Sequence, residues 1–329
     1  MTEQTGSEHS PALLTMDDVR AAARRIRPHV VRTPLLPAGW SAPGHPLWLK
    51  AENLQPSGAF KLRGATNAIL NLSPGTTGVV THSSGNHGRA LAHAARAAGL
   101  PATVVVPDNT PPVKIAAIRE LSAQVVVVPP GDRERVAEEL RARHGFVLVP
   151  PFESPAVIAG QGTVGLEIAE DLPEVATVLV PVSGAGLISG IAVALRALLP
   201  EVRIIGVEPA DAADAAESLR TGHLVRWSPE RTARTVADGL RAPSLGELTW
   251  AHVRQLVDDI VQVREDEILA AMRVLATQAR LVAEPSGAVA AAAYQAHHAS
   301  FPHGPVVAVV SGGNVEPSLL ARVLTERPS

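Results

Sequence analysis

The chain has 329 residues, no cysteine and a formal net charge of −3, with 46% hydrophobic and 19% charged residues. That length suits two α/β domains, or one large domain with an insertion, and the apolar content supports a sizeable core. The near-balanced charge excludes an electrostatic footprint for nucleic acid or an anionic membrane, and the missing cysteines exclude disulfides and thiolate chemistry.

Residues 1–14 read as a disordered leader. They are polar, with Glu3 and Glu8, and do not form a signal peptide. No later apolar run approaches the length of a membrane span, so the expected location is the cytoplasm. Thr15-Met16-Asp17-Asp18 is a helix start, a hydroxyl cap followed by acids that suit the positive end of the helix dipole. The helix runs to about Arg27 and stops at Pro28. Arg32-Thr33-Pro34-Leu35 is extended, because the residue before a proline avoids the helical region. Leu47-Trp48-Leu49 is a strand, and after the turn Pro56-Ser57-Gly58 a helical pattern begins near Lys61.

From about residue 76 short β-branched runs alternate with Ala-rich helical segments. Strands at 78–81, 102–106 and 125–128 are each followed by a helix, near 87–98, 111–121 and 132–144. Continuous apolar strands alternating with helices mean parallel sheet buried on both faces. A second series follows: helix 154–171, strand 177–182, helix 187–199, strand 202–207 and helix 211–221. An irregular stretch (222–246) leads to a helix near 247–257, a strand at 260–263, two helices, the strand Val306–Val310 and a helix from about 316. The pattern predicts an α/β fold of two open, twisted, mostly parallel sheets flanked by helices. A small domain (76–148) is inserted into a large one (15–75 and 149–329).

Ligands of such sheets sit at the carboxyl ends of the strands, which directs attention to five stretches. Lys61, behind Phe60, stands where a strand hands over to a helix. If desolvated it would lose its proton readily and could form a Schiff base with an aldehyde; the plainer reading is a solvated lysine at a helix start. Thr81 to Gly88 offers hydroxyls, an amide and backbone N–H groups at a helix N-terminus, suited to a carboxylate or phosphate. His82 and His87 flank it without the cluster a metal would need. Ser183-Gly184-Ala185-Gly186-Leu187 follows an apolar strand and opens a helix, as a phosphate loop does. Gly184, Gly186 and Ser189 also nearly match a dinucleotide fingerprint, with Glu208 placed as a ribose-binding acid, so an NAD-dependent dehydrogenase is a rival reading. Glu208 and Asp214 could hold a hard divalent cation or simply cap the next helix. Ser311-Gly312-Gly313-Asn314 places a hydroxyl at a strand end.

Together these stretches resemble the fold-type II pyridoxal-phosphate enzymes, with the fold of the tryptophan synthase β chain, and within them the serine/threonine dehydratase and serine racemase family. Ser57-Gly58-Ala59-Phe60-Lys61-Leu62-Arg63-Gly64-Ala65 resembles the cofactor-lysine motif, Thr81 to Gly88 the substrate-carboxylate loop, and Ala159-Gly160-Gln161-Gly162-Thr163 a further family string. The resemblance spans about residues 15 to 325 with the motifs in the family's order. It implies that Lys61 carries pyridoxal phosphate as a Schiff base and then acts as base at the substrate Cα. Phe60 would back the ring, Asn86 would bond its phenolic oxygen, Ser183, Gly184, Ala185, Gly186 and Leu187 would bind its phosphate, and Ser311 would meet its pyridine nitrogen. Ser83, Ser84, Asn86 and His87 would bind the substrate carboxylate, and Ser84, Ser rather than Ala as in racemases, would exchange a proton on the face opposite Lys61. Glu208, the Ala212 carbonyl and Asp214 would form a magnesium or other divalent-metal site. Ala185 departs from the family's glycine run, which is tolerable if its φ is negative. The implied activity is conversion of L-threonine or L-serine to a 2-oxo acid and ammonia. Serine racemisation, or dehydration of another hydroxy-amino acid such as 3-hydroxyaspartate, is the alternative. The partners implied are a small amino-acid substrate and a second copy of the chain.

Overall fold

The computed structural model describes residues 11–83 and 85–325. In chain order the first elements are α1 (Met16–Ile26), β1 (Leu35–Pro37), β2 (Leu47–Ala51), α2 (Lys61–Leu70), β3 (Val79–Thr81) and α3 (Asn86–Ala97). Next come β4 (Ala102–Pro107), α4 (Pro112–Arg119), β5 (Gln124–Val128), α5 (Arg133–His144), β6 (Val147–Leu148) and α6 (Pro155–Asp171). The chain continues through β7 (Thr177–Pro181), α7 (Gly186–Leu198), β8 (Arg203–Pro209), α8 (Asp214–Thr221), α9 (Pro229–Thr232) and α10 (Glu247–Leu256). It ends with β9 (Asp259–Val263), α11 (Glu265–Val274), α12 (Pro285–His297), β10 (Val306–Val310) and α13 (Pro317–Thr325).

Among the described residues these strands form two sheets. One has the order β1-β2-β10-β7-β8-β9, the other β5-β4-β3-β6. Every pairing is parallel except β1 against β2. The four strands of the second sheet all fall between Val79 and Leu148. β10, late in the chain, pairs with β2 in register Val310 to Ala51 and with β7 in register Val306 to Thr177. All five of its residues are fully buried. Val306, Ala308 and Val310 join the core under α12, while Val307 and Val309 join the core under α7. A strand covered on both faces needs an uninterrupted apolar run, which is what the sequence carries there.

Thr15 caps α1 through a reciprocal pair with Asp18, as its sequence predicts. Ala159 to Thr163 turns out to be packing sequence: a Cβ on Gly162 would stand 2.8 Å from the Gly190 carbonyl oxygen, so α6 and α7 cross at backbone contact. Several expectations change. The helix expected over 211–221 starts only at Asp214, after a short 3-10 turn at Ala210–Ala212. β5 is an edge strand, partly exposed, rather than one buried on both faces. In the six-stranded sheet Leu35–Pro37 forms one edge as an antiparallel strand. Most of the 1–14 leader lies outside the described residues; at its end the Leu14 N–H donates to His252 Nε2 at 2.9 Å.

Candidate active site

The loops leaving β2, β3, β7 and β10 converge on one cleft of about 920 Å³ between the two sheets, lined by Lys61, Asn86, Ser183, Asp238, Glu284 and Ser311 among others. The Lys61 loop and the loop after β10 are laced together. Phe60 N–H donates to the Ser311 carbonyl at 3.0 Å and Gly313 N–H to that of Gly58 at 2.8 Å, while Asn314 Nδ2 donates to the Ser57 carbonyl at 2.9 Å.

Lys61 opens α2, and its Nζ donates to the Pro151 carbonyl at 2.7 Å and lies 5.1 Å from the Phe60 ring centroid. With no carboxylate to hold its charge, desolvation lowers its pKa to about 8. Two residues on, Arg63 centres a buried ion network. Arg63 bonds Glu52 through Nε and Nη2, both at 2.8 Å, and Glu167 through Nη1 at 2.6 Å and Nη2 at 2.8 Å. Lys50 Nζ joins it, at 2.6 Å from Glu167 and 2.7 Å from the Thr33 carbonyl. Burial works to raise the Glu52 pKa, but the charge and hydrogen bonds of Arg63 outweigh it and hold the carboxyl below its usual range.

Opposite Lys61, α7 points its N-terminus into the cleft, where the first-turn N–H groups have no intrahelical partner. A Cβ on Gly184 would fall 2.2 Å from the Phe152 ring, so only glycine lets this loop fold under that ring. Ser183 Oγ accepts from the Ala242 N–H at 3.1 Å. Ala185 has φ +62°, so the condition of a negative φ, under which its methyl group would be tolerated, is not met. Ser189 is fully buried, 3.5 Å from the Thr249 carbonyl, and Glu208 is fully buried against the N–H groups of Ala215 (3.2 Å) and Ala216 (2.8 Å). Neither faces the loop as a dinucleotide site requires. Ser311 Oγ ends β10, 3.3 Å from the Ser286 carbonyl.

At the start of α3, Asn86 Nδ2 donates to Glu284 Oε1 and its Oδ1 accepts from Asn314 Nδ2 at 2.7 Å. His87 is buried, its Nε2 3.0 Å from the Val149 carbonyl and its Nδ1 without a partner. Burial, then the charges of Lys61 and His82, lower its pKa to about 3 against the opposing pull of the Val149 carbonyl, so the ring is neutral. What α3 offers an anion is its backbone end. Ser84 lies outside the described residues, and Ser83 lines the cleft. Sequence reasoning missed Glu284, whose pKa burial, and then the Asp238 charge, raise to about 7. The one signal was an acid in the small-residue run Ala283-Glu284-Pro285-Ser286-Gly287.

Glu208 and Asp214 form a buried pair away from the cleft. Both Asp214 oxygens lack partners. Desolvation, then the Asp214 charge, push the Glu208 pKa well up, and desolvation raises that of Asp214 to about 7. Among the described residues no group of three or more His, Cys, Asp or Glu side chains is arranged to hold a metal.

The aldehyde-ready lysine, the anion-binding helix end and the hydroxyl of Ser311 fit a phosphorylated pyridine aldehyde. A family model described as "pyridoxal-phosphate dependent enzyme" matches residues 26–312. The chain belongs to that family. It is 40% identical to the serine racemase of Oryza sativa subsp. indica over 333 residues, covering 98% of this chain and 97% of the relative. To the L-threo-3-hydroxyaspartate ammonia-lyase of Saccharomyces cerevisiae it is 38% identical over 317 residues, covering 94% and 96%. The solved structure of a threonine deaminase from T.th. superposes with a TM-score of 0.87 at 42% identity, covering 92% of this chain and 99% of that one. Fold-type II architecture, pyridoxal phosphate as cofactor and an enzyme of the lyase and racemase group follow, and the nicotinamide reading falls. Among the described residues no helix is long and apolar enough to cross a membrane.

Proposed function

We propose that the protein is a hydroxy-amino acid ammonia-lyase acting on L-threonine or L-serine. The observation that carries this reading is Lys61, desolvated and facing the cleft between the helix end at Gly186 and the hydroxyl of Ser311. When bound, pyridoxal phosphate supplies the aldehyde and the electron sink that acidify the substrate Cα–H. The N–H groups of Gly184 to Leu187 bind its phosphate, and Phe60 supports one ring face. Backbone N–H groups at the start of α3, with Ser83, bind the substrate carboxylate, and Lys61 Nζ takes the Cα proton. The neutral Ser311 hydroxyl does not keep the pyridine nitrogen protonated as a carboxylate would, which favours loss of the β-hydroxyl. The net products are a 2-oxo acid and ammonia. Residues 76–148 form the small domain closing on a large one of 15–75 and 149–329, in a cytoplasmic homodimer.

Purified protein should show a visible absorbance band that borohydride removes, and should release 2-oxo acid from L-threonine, L-serine or L-threo-3-hydroxyaspartate. Lys61→Ala should lose the band and at least ~10³-fold in turnover; a variant with full activity would sink the reading.

Serine racemisation is a second reading, favoured by the racemase relative and by the buried Glu208–Asp214 pair. Ser84 would be the proton donor on the far face, and these two carboxylates with the Ala212 carbonyl would hold Mg²⁺. Ser84→Ala should abolish D-serine formation while sparing most elimination of L-serine; equal loss of both would count against that role.

A further inference from the structure

Asn86 stands in a polar chain that runs Arg89, Asn314, Asn86, Glu284. Arg89 Nη1 donates to Asn314 Oδ1 at 2.7 Å. Asn314 Nδ2 donates both to the Ser57 carbonyl at 2.9 Å and to Asn86 Oδ1 at 2.7 Å, and Asn86 Nδ2 in turn donates to Glu284. A carboxamide has two nearly isosteric ends, so its direction is set only by what each end meets. Guanidinium can only donate and a peptide carbonyl can only accept. Arg89 and the Ser57 carbonyl therefore fix Asn314 from both sides, and Asn314 fixes Asn86. The amide of Asn86, which lines the cleft, turns its oxygen to Asn314 and its nitrogen to Glu284, and the contact with Glu284 uses only one of its two N–H groups. Without the chain, the two directions of Asn86 would be close in energy.

We infer that Asn314, held by Arg89 and the Ser57 carbonyl, is a positioning residue that keeps the Asn86 amide presenting its N–H₂, not its oxygen, to the cofactor. This rests on the proposed placement of pyridoxal phosphate beside Asn86. The charged and titratable groups around the chain are Asp238, which raises the Glu284 pKa, and Lys114 and Arg89, which lower it. Loss of Arg89 thus has a second consequence, an upward move of the Glu284 titration.

The test compares wild type, Asn86→Ala, Asn314→Asp and Arg89→Met, each reconstituted with pyridoxal phosphate and followed by visible absorbance, cofactor Kd and melting temperature. An acceptor-only side chain at 314 no longer donates to Asn86 Oδ1, and so withdraws the contact that, with Glu284, sets the direction of the amide. Asn314→Asp should reproduce the band shift of Asn86→Ala and bind cofactor about tenfold more weakly, the loss of one strong hydrogen bond. Arg89→Met keeps the Ser57 anchor and should show a smaller band shift, with its pH dependence displaced upward; Arg89→Lys, donor-only, should restore both. A wild-type band and Kd in Asn314→Asp overturn the inference, as does an unchanged band in Arg89→Met should Asn314→Asp fail to fold. A wild type that forms no borohydride-sensitive band overturns the cofactor placement instead.

Discussion

At position 185 the chain carries a methyl group on left-handed backbone, φ +62°, in the loop that opens α7. An L-residue there is strained by roughly 1–2 kcal/mol, and such strain persists only where the surroundings enforce it. The Phe152 ring and backbone, packed against Gly184 and Gly186, are that enforcement. Ala185→Gly should stabilise the protein by about 0.5–1 kcal/mol, the relieved strain less the entropy of an added glycine, and thermal denaturation checks it. Destabilisation would mean that the methyl packs better than the backbone suffers. Single residues divide by how far they can be read before the fold is known. Lys61 and Ser311 are legible in the sequence only through the order of the motifs around them, since a lysine at a helix start and a serine at a strand end mean little in their own neighbourhoods. The neutral ring of His87 is not, since its state depends on burial, then on the Lys61 charge, both supplied by folding and together outweighing the Val149 carbonyl.

The end of β8 and the start of α8 show the same division at the scale of elements. The sequence offered two roles for the acids, cation ligand or helix cap, and Glu208 accepts from the N–H groups of Ala215 and Ala216 as a cap does. Asp214 is left buried with two free oxygens. Its pKa, about 7 in the folded chain, lies above the ordinary value near 4. A raised acid contributes stability below its unfolded pKa, and that contribution is lost as pH climbs through about 7. A divalent cation would compensate where the pair is ionised. Mg²⁺ should therefore raise the melting temperature by roughly 2–4 °C at pH 8 and by less at pH 6. Asp214→Asn should remove that increment and, in chelator at pH 8, melt higher than wild type. An unchanged Mg²⁺ increment in Asp214→Asn would exclude these oxygens as ligands.

The whole molecule is knit at Arg63, two residues beyond Lys61. Its partners Glu52 and Glu167, with Lys50 and Thr33, come from β2 and its exit, from α6 and from the segment after α1, so one guanidinium ties the frame of Lys61 together. Arg63→Met would leave two carboxylates buried with Lys50 as the one remaining cation of the network. It should cost about 3–5 kcal/mol, because an uncompensated buried charge is worse than none; denaturant unfolding measures it, and a loss under about 1 kcal/mol would show water reaching the network. Lys114 of α4 and Asp238 meet across the cleft at 2.5 Å, the only ion pair among the described residues that joins the second sheet's helices to the Asp238 loop. The sequence by itself determined the parallel α/β class and the order of the loops, since strand period, turn chemistry and motif spacing are local; of the five stretches it singled out, four line the cleft and the Glu208–Asp214 stretch does not. Only the tertiary structure decided that Glu284 enters the site, that Asn314 and Arg89 orient Asn86, that Asp214 is left without a partner and that Arg63 is fully neutralised. Each of these depends on whether groups far apart in the chain meet out of water, where a hydrogen bond or charge without its counterpart is expensive.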